Sequence, residues 1–171
     1  MVAALVDALF RDYADAVTDG AVDRIQAMWS FPAFMMFDGH QVVLDEAAFR
    51  ENTERLCAFY RGQGMVRADY DVLEILCLTP TTASVRTIVR LYDADESIVT
   101  EWAHVHLLSD TDDGLKIAAA LPDEEMRAWS ARETSMLRRS QRLELPPRSG
   151  KRAIKRRQHS PDLTGTASGR G

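Results

Sequence analysis

The stretch from Ser97 to Met126 limits the fold more than any other part of this chain. SIVTEWAHVHLL alternates apolar and polar side chains, SDTDDG makes a tight turn closed by glycine, LKIAAALP resumes the strand pattern, and DEEM starts a helix. A period of two marks a strand with one buried face, and a short Asp/Gly loop between two such runs marks a hairpin. Two helices, a short strand pair, a third helix and two more long strands come before it. That order predicts an α+β fold, a helix-covered, curved antiparallel sheet with a pocket inside.

The upstream elements follow from the same rules. Leu5, Val6, Leu9, Phe10, Tyr13, Ala14 and Val17 recur at helical spacing, with Asp7, Arg11, Asp12 and Asp15 on the opposite side. Asp19-Gly20 ends that helix, because glycine accepts the left-handed cap geometry. A shorter helix is expected from Ala21 to Trp29, broken by Phe31-Pro32, and AFMMF reads as a short buried strand. Asp38-Gly39 turns it into the partner strand QVVL. Asp45 is placed to cap a third helix whose apolar stripe is Phe49, Leu56, Phe59 and Tyr60. Further strands are expected near 65–78, 82–92, 97–108 and 114–120. Pro122-Asp123-Glu124-Glu125 opens a last helix, proline first and acids in its first turn, which either closes one mouth of the fold or leaves the domain. Three segments result: a domain over 1–122, a C-terminal helix over 123–140 and a basic tail over 141–171.

The net charge of −5 conceals a split. Residues 1–137 carry 11 Lys/Arg against 24 Asp/Glu, a net −13, whereas residues 138–171 carry 10 against 2, a net +8. A strongly acidic folded part is poorly suited to nucleic acid or an anionic membrane. The tail, RSGKRAIKRRQHSPDLTGTASGRG, is rich in Gly, Ser, Thr and Pro and has too few large apolar residues to offset chain entropy, so it is expected to be disordered. Weak tail contacts through Lys151-Arg152 and Lys155-Arg156-Arg157 are the only nucleic-acid interaction expected. No apolar run approaches the ~18 residues of a membrane span, and Asp7 interrupts the N-terminal apolar stretch, so no signal peptide is expected. Cys57 and Cys77 are expected inward as free thiols, which suits a reducing, cytoplasmic setting.

Strand registers set which residues share a face. If Leu91 pairs with Ser97, and Cys77 with Ala83, one face carries Asp71, Leu73, Ile75, Cys77, Val85, Thr87, Val89, Leu91, Val99, Glu101, Ala103, Val105 and Leu107. This apolar set should face the helices. The other face would carry Tyr70, Val72, Glu74, Leu76, Arg86, Ile88, Arg90, Ile98, Thr100, Trp102, His104 and His106, with Glu74 opposite Arg86 and Arg86 opposite Trp102. A mixed face bearing a tryptophan suits a homodimer interface, centred on Trp102, His104 and Arg86. A one-residue slip would exchange the two faces.

Element order and turn placement resemble the NTF2-like (cystatin-like) superfamily, which includes SnoaL-like polyketide cyclases and ketosteroid isomerases. The residues that carry the resemblance are Phe10-Arg11-Asp12-Tyr13 through Asp19-Gly20, Met28-Trp29, the strand after Pro32, and SDTDDGLKIAAA. It spans roughly residues 3–122. The resemblance implies a cone-shaped fold and frequent homodimers packed through the convex sheet face. Residue by residue, the tyrosine that ketosteroid isomerases keep in the first helix is matched by Tyr13. Their general base aligns near Phe37, with Asp38 one residue on, and their second oxyanion donor aligns with Val105.

The registers aim Asp71 and Glu101 at the apolar interior, where desolvation raises a carboxyl pKa toward acid–base use; the alternative is a solvated or arginine-paired position at the rim. Tyr13 is a candidate hydrogen-bond donor to a ligand oxygen, or a core tyrosine. Asp38 and His40 flank a glycine at the pocket mouth, as an acid–base pair or as ordinary turn residues. Trp29, Phe34, Met36, Thr87 and Val105 are expected to line the pocket. His104 and His106 share a face, yet a zinc site needs a third protein ligand, so neither metal nor organic cofactor is expected. Two functions remain open. One is a SnoaL-like small-molecule enzyme of isomerase, cyclase or lyase type, with carboxylate acid–base chemistry on an apolar, oxygenated ligand. The other is a non-catalytic homodimeric ligand-binding or interaction module with a filled core. The discriminator is a cavity of ligand size with a carboxylate at its wall.

Overall fold

The first helix, α1 (Ala3–Asp19), buries Val6, Phe10, Ala14 and Val17, an i, i+4 stripe with one break. Gly20 ends it at φ +63°, and the Gly20 and Ala21 amides donate to the carbonyls of Val17 and Ala16. A Cβ there would meet the Arg61 guanidinium at 2.5 Å, because Arg61 reaches across to donate to the Asp19 carbonyl. The positive φ favours glycine at that position, and any larger residue would also have to displace the Arg61 side chain. The order continues with α2 (Val22–Ala27), β1 (Trp29–Phe37), β2 (His40–Leu44), α3 (Glu46–Gly62), β3 (Arg67–Thr79), β4 (Thr82–Tyr92), β5 (Ile98–Thr111), β6 (Gly114–Leu121) and α4 (Asp123–Leu143). Asp45 caps α3 by accepting from the Ala48 amide at 2.8 Å. This computed structural model describes residues 3–37 and 39–143; Asp38 and the tail from residue 144 onward lie outside the described residues.

Six strands form one sheet in the order β2-β1-β6-β5-β4-β3. Every neighbouring pair is antiparallel except β1 and β6, which run parallel, so the sheet is mixed rather than wholly antiparallel. The β1–β2 hairpin therefore extends the sheet beside the last strand in sequence, with α3, β3, β4 and β5 lying between them in the chain. The core lies between the sheet and the helices. Phe10, Phe49, Ile25, Leu91, Leu108 and Ile117 are all fully buried, each worth roughly 1.5–3 kcal/mol of apolar burial.

Two bulges decide which residues face that core. On β4, Ala83, Val85, Thr87, Val89 and Leu91 point inward, as expected. Cys77 pairs with Ala83 and Glu74 with Arg86, also as expected. Between Val72 and Glu74, however, Leu73 is an extra residue on β3, so Tyr70 pairs with Val89 and Asp71 with Ile88. Across the next hairpin Tyr92 pairs with Ile98 but Leu91 pairs with Thr100, leaving Val99 as the extra residue. A bulge shifts the alternation by one and moves every residue beyond it to the other face. Asp71 and Glu101 are thereby turned outward, and Trp102, His104 and His106 inward, the reverse of the expected faces. Arg86 pairs with Val105, not Trp102, and stays outside. The expected Trp102–His104–Arg86 surface therefore does not exist as one face. Cys57 is buried, but Cys77 is exposed because β3 is solvent-accessible on both faces from Leu76 to its end.

Helix α4 packs along β5. The Arg132 guanidinium donates to the Val99 carbonyl, at the bulge itself. Trp129 lies against Phe59, Tyr60 and Trp102, with ring centroids 4.9, 6.0 and 6.3 Å away.

Candidate functional site

A cavity of about 290 Å3 opens between the concave side of the sheet and the helices. Its floor is Tyr70 from β3 with His104 and His106 from β5. Tyr13 of α1 and Tyr60 of α3 form one wall, and Met35 and Phe37 of β1 another. Pro122, Glu125 and Met126 close it from the start of α4. The aromatic groups contact one another: Tyr13 meets Tyr70 edge-on at 5.3 Å, Phe10 lies 4.9 Å from His106, and the two imidazoles stack at 4.2 Å.

Glu125 is the one carboxyl among the described residues of this wall. It is buried, and the Tyr60 hydroxyl donates to its Oε1 at 2.5 Å. Burial raises its pKa above the ordinary carboxylate range; the Tyr60 hydrogen bond and the nearby Trp129 indole hold it down in part. The Trp129 N–H lies close enough to act on the carboxyl, yet its geometry falls short of a hydrogen bond. Burial also raises the pKa of Tyr13, Tyr60 and Tyr70, so all three keep their protons as donors.

The histidines behave in the opposite sense. Burial lowers the His104 pKa to about 4, and burial together with neighbouring His104 lowers that of His106. Both imidazoles are therefore uncharged at neutral pH. Both ring nitrogens of His104 and Nδ1 of His106 have no hydrogen-bond partner, and the Trp29 indole N–H lies near enough to act on the Tyr13 hydroxyl without the geometry of a hydrogen bond. A buried polar atom left unpaired costs about 1–3 kcal/mol.

The expected site residues divide sharply. Tyr13 and Trp29 line the cavity. Asp71 and Glu101 sit on the outer face, where both bind the Arg90 guanidinium, as in the arginine-paired alternative. Phe34 and Met36 point outward on β1, into a shallow groove beside Leu107, while the alternate residues Met35 and Phe37 face the cavity. Val105 is turned outward by the Val99 bulge, and Thr87 is fully buried in the core with its hydroxyl toward the His104 carbonyl. Asp38 lies outside the described residues, and His40 is exposed on β2. Sequence reasoning missed Glu125, Tyr60 and Tyr70. The available signal was the i, i+4 spacing of Glu125 and Trp129, which puts a carboxyl on the face of α4 that carries its tryptophan.

A wider cleft of about 350 Å3 lies over α2 and the start of α3, but its Arg50 already bonds Asp23 at 2.6 Å and Gln26 at 3.3 Å. Among the described residues no group of three or more His, Cys, Asp or Glu is placed to hold a metal ion, and no helix is long and apolar enough to cross a membrane.

A curved sheet wrapped around helices, with a cavity on its concave side, defines the NTF2-like class of α+β cone. Residues 3–125 match the family model described as NTF2-like protein (DUF6841), and the chain belongs to that family. No curated protein matches the sequence. Solved structures of low identity share the fold. A domain of unknown function with a cystatin-like fold from Nostoc punctiforme PCC 73102 has a TM-score of 0.61 at 16% identity, over 84% of this chain and 100% of that one. An NTF-2 like protein of unknown function from Shewanella oneidensis MR-1 gives 0.54 at 14%, over 68% and 93%. A ketosteroid isomerase-like protein from Erwinia carotovora atroseptica SCRI1043 gives 0.52 at 17%, over 69% and 92%.

Proposed function

We propose that this protein is a small-molecule enzyme in which Glu125 exchanges a proton with a ligand held in the aromatic cavity. The observation that carries this reading is a buried carboxyl, raised in pKa, at the wall of a cavity lined by aromatic rings. A carboxyl tuned upward moves toward the neutral range in which one group serves as both acid and base. Oε1 is occupied by the Tyr60 hydroxyl. Oε2 is then the atom that takes a proton from one position of the ligand and returns it to another, an isomerisation with no net change of composition. Tyr60 is a positioning residue. Tyr13 and Tyr70 supply hydroxyls, and neutral His104 and His106 supply ring nitrogens, for holding the ligand.

Hydrogen–deuterium exchange tests the reading. The full chain is incubated in D2O with a panel of small carbonyl, alcohol and amine compounds, and deuterium uptake at carbon is followed by mass spectrometry. Uptake that needs Glu125 and disappears in Glu125→Gln supports an enzyme. Compounds that bind the cavity without any Glu125-dependent uptake would leave the non-catalytic ligand-binding module instead.

Self-association is the second part of the proposal, through the outer sheet face as the bulges define it. The exposed ring of Phe34 with Met36 and Leu107 borders an apolar groove of about 200 Å3 there. Sedimentation of the wild type against Phe34→Asp reads it: a dimer reduced to monomer is expected, and a wild-type monomer refutes it.

A further inference from the structure

We infer that the cavity takes a small organic cation, a ligand whose basic nitrogen seats its ammonium group against Glu125; this rests on the cavity being the working site. The first observation is a buried carboxyl without a counterion. Glu125 is buried, and what reaches it is neutral: the Tyr60 hydroxyl and the Trp129 indole. Among the described residues no Lys or Arg lines the cavity or forms an ion pair with Glu125. The two imidazoles cannot substitute, since burial keeps both uncharged. A buried carboxylate is tolerated when paired and costly when alone. Its place in the first turn of α4 favours the ionised form, which a ligand cation would then complete.

The second observation is the wall. Tyr13, Trp29, Phe37, Tyr60 and Tyr70 bring five aromatic rings to one cavity of about 290 Å3, at the lower end of the roughly 300–1,000 Å3 of small-molecule sites. Ring faces attract cations, by about 0.5–1 kcal/mol where exposed and ~2 where desolvated. The third observation is the unpartnered nitrogen set. A neutral imidazole carries one lone pair and one N–H, so His104 and His106 bring polar groups to the cavity floor without bringing positive charge. The same set offers an anion no compensating charge, and the net −13 of residues 1–137 attracts cations and repels anions at longer range.

Three probes of one skeleton separate the alternatives: benzylamine, benzyl alcohol and benzoate, each titrated into the full chain by calorimetry at neutral pH. Benzylamine is expected to bind about tenfold or more tightly than the alcohol, benzoate weakest, and the amine's advantage is expected to vanish in Glu125→Gln. The wild-type ranking stands without any variant, so the test survives a substitution that fails to fold. Alcohol or benzoate binding as tightly as the amine, or an amine advantage that persists in Glu125→Gln, overturns the inference. Ala120→Trp, which fills the cavity, tells the two failures apart. If the alcohol binds and that variant blocks it, the cavity is the site and the cation is wrong. If no probe binds the wild type, both readings fall.

Discussion

Removing the Tyr60 hydroxyl perturbs the site at one atom. Tyr60→Phe keeps the ring and its packing against Trp102 and Trp129, and deletes the donor to Glu125. Tyr60 and Glu125 are 3% and 8% exposed, so solvent screens their interaction little. A hydrogen bond to a charged group contributes roughly 1.5–3 kcal/mol and one between neutral groups roughly 0.5–1.5. The deficit of the variant should therefore depend on pH. The folded-state pKa of Glu125 is raised, so the folded chain binds more protons than the unfolded one between the unfolded value, ~4.3, and the folded value. Stability falls as pH rises through that window. Tyr60→Phe raises the folded pKa further, because the hydroxyl favours the ionised form, and so extends the fall to higher pH. The variant should be about 1 kcal/mol less stable than wild type near pH 4 and about 2–3 kcal/mol less stable near pH 8. Urea unfolding at both pH values measures it, and contributions of other groups cancel in the difference. A deficit that stays constant from pH 4 to 8 would show that Glu125 keeps one protonation state across that range, which refutes a carboxyl poised to give and take a proton there.

The histidines predict acid sensitivity of opposite sign. Their folded pKa values are depressed, so stability present above the unfolded value, ~6.5, is lost as pH falls toward the folded value, about 4 for His104; unfolding followed by fluorescence should show the loss, and His106→Phe should shrink it. Asp71→Asn and Glu101→Gln remove exposed partners of Arg90, and each should cost no more than ~1 kcal/mol while leaving probe binding unchanged; a loss of binding would return these acids to the site.

Much of the fold was legible because its signals are local. Gly20 as a helix stop, Asp45 as a cap and the β3–β4 pairing of Cys77 with Ala83 depend on a few neighbouring residues. The candidate site was legible only in Tyr13 and Trp29. The chosen acids failed for one reason each. Asp71 lies before the extra residue Leu73, and Glu101 lies after the extra residue Val99. Continuous alternation through both points would aim these acids inward, and the alternation reverses there. Consecutive burial of Val99 and Thr100 is the mark of the second bulge, visible only once the strands are paired.

Read by itself, the chain determined the number, order and type of its elements, through periodicity, caps and turns that act over one or two helical turns. The tertiary structure alone decided which side of the sheet each outer segment presents. A bulge is chosen by cross-strand fit and by what packs on it, as Arg132 of α4 does on the Val99 carbonyl, about 30 residues away in sequence. The same docking of α4 carries Glu125 to a cavity whose floor comes from β3 and β5. An acid that reads locally as part of a helix start becomes the one carboxyl of the described cavity wall, because burial acts on positions in space rather than on neighbours in the chain.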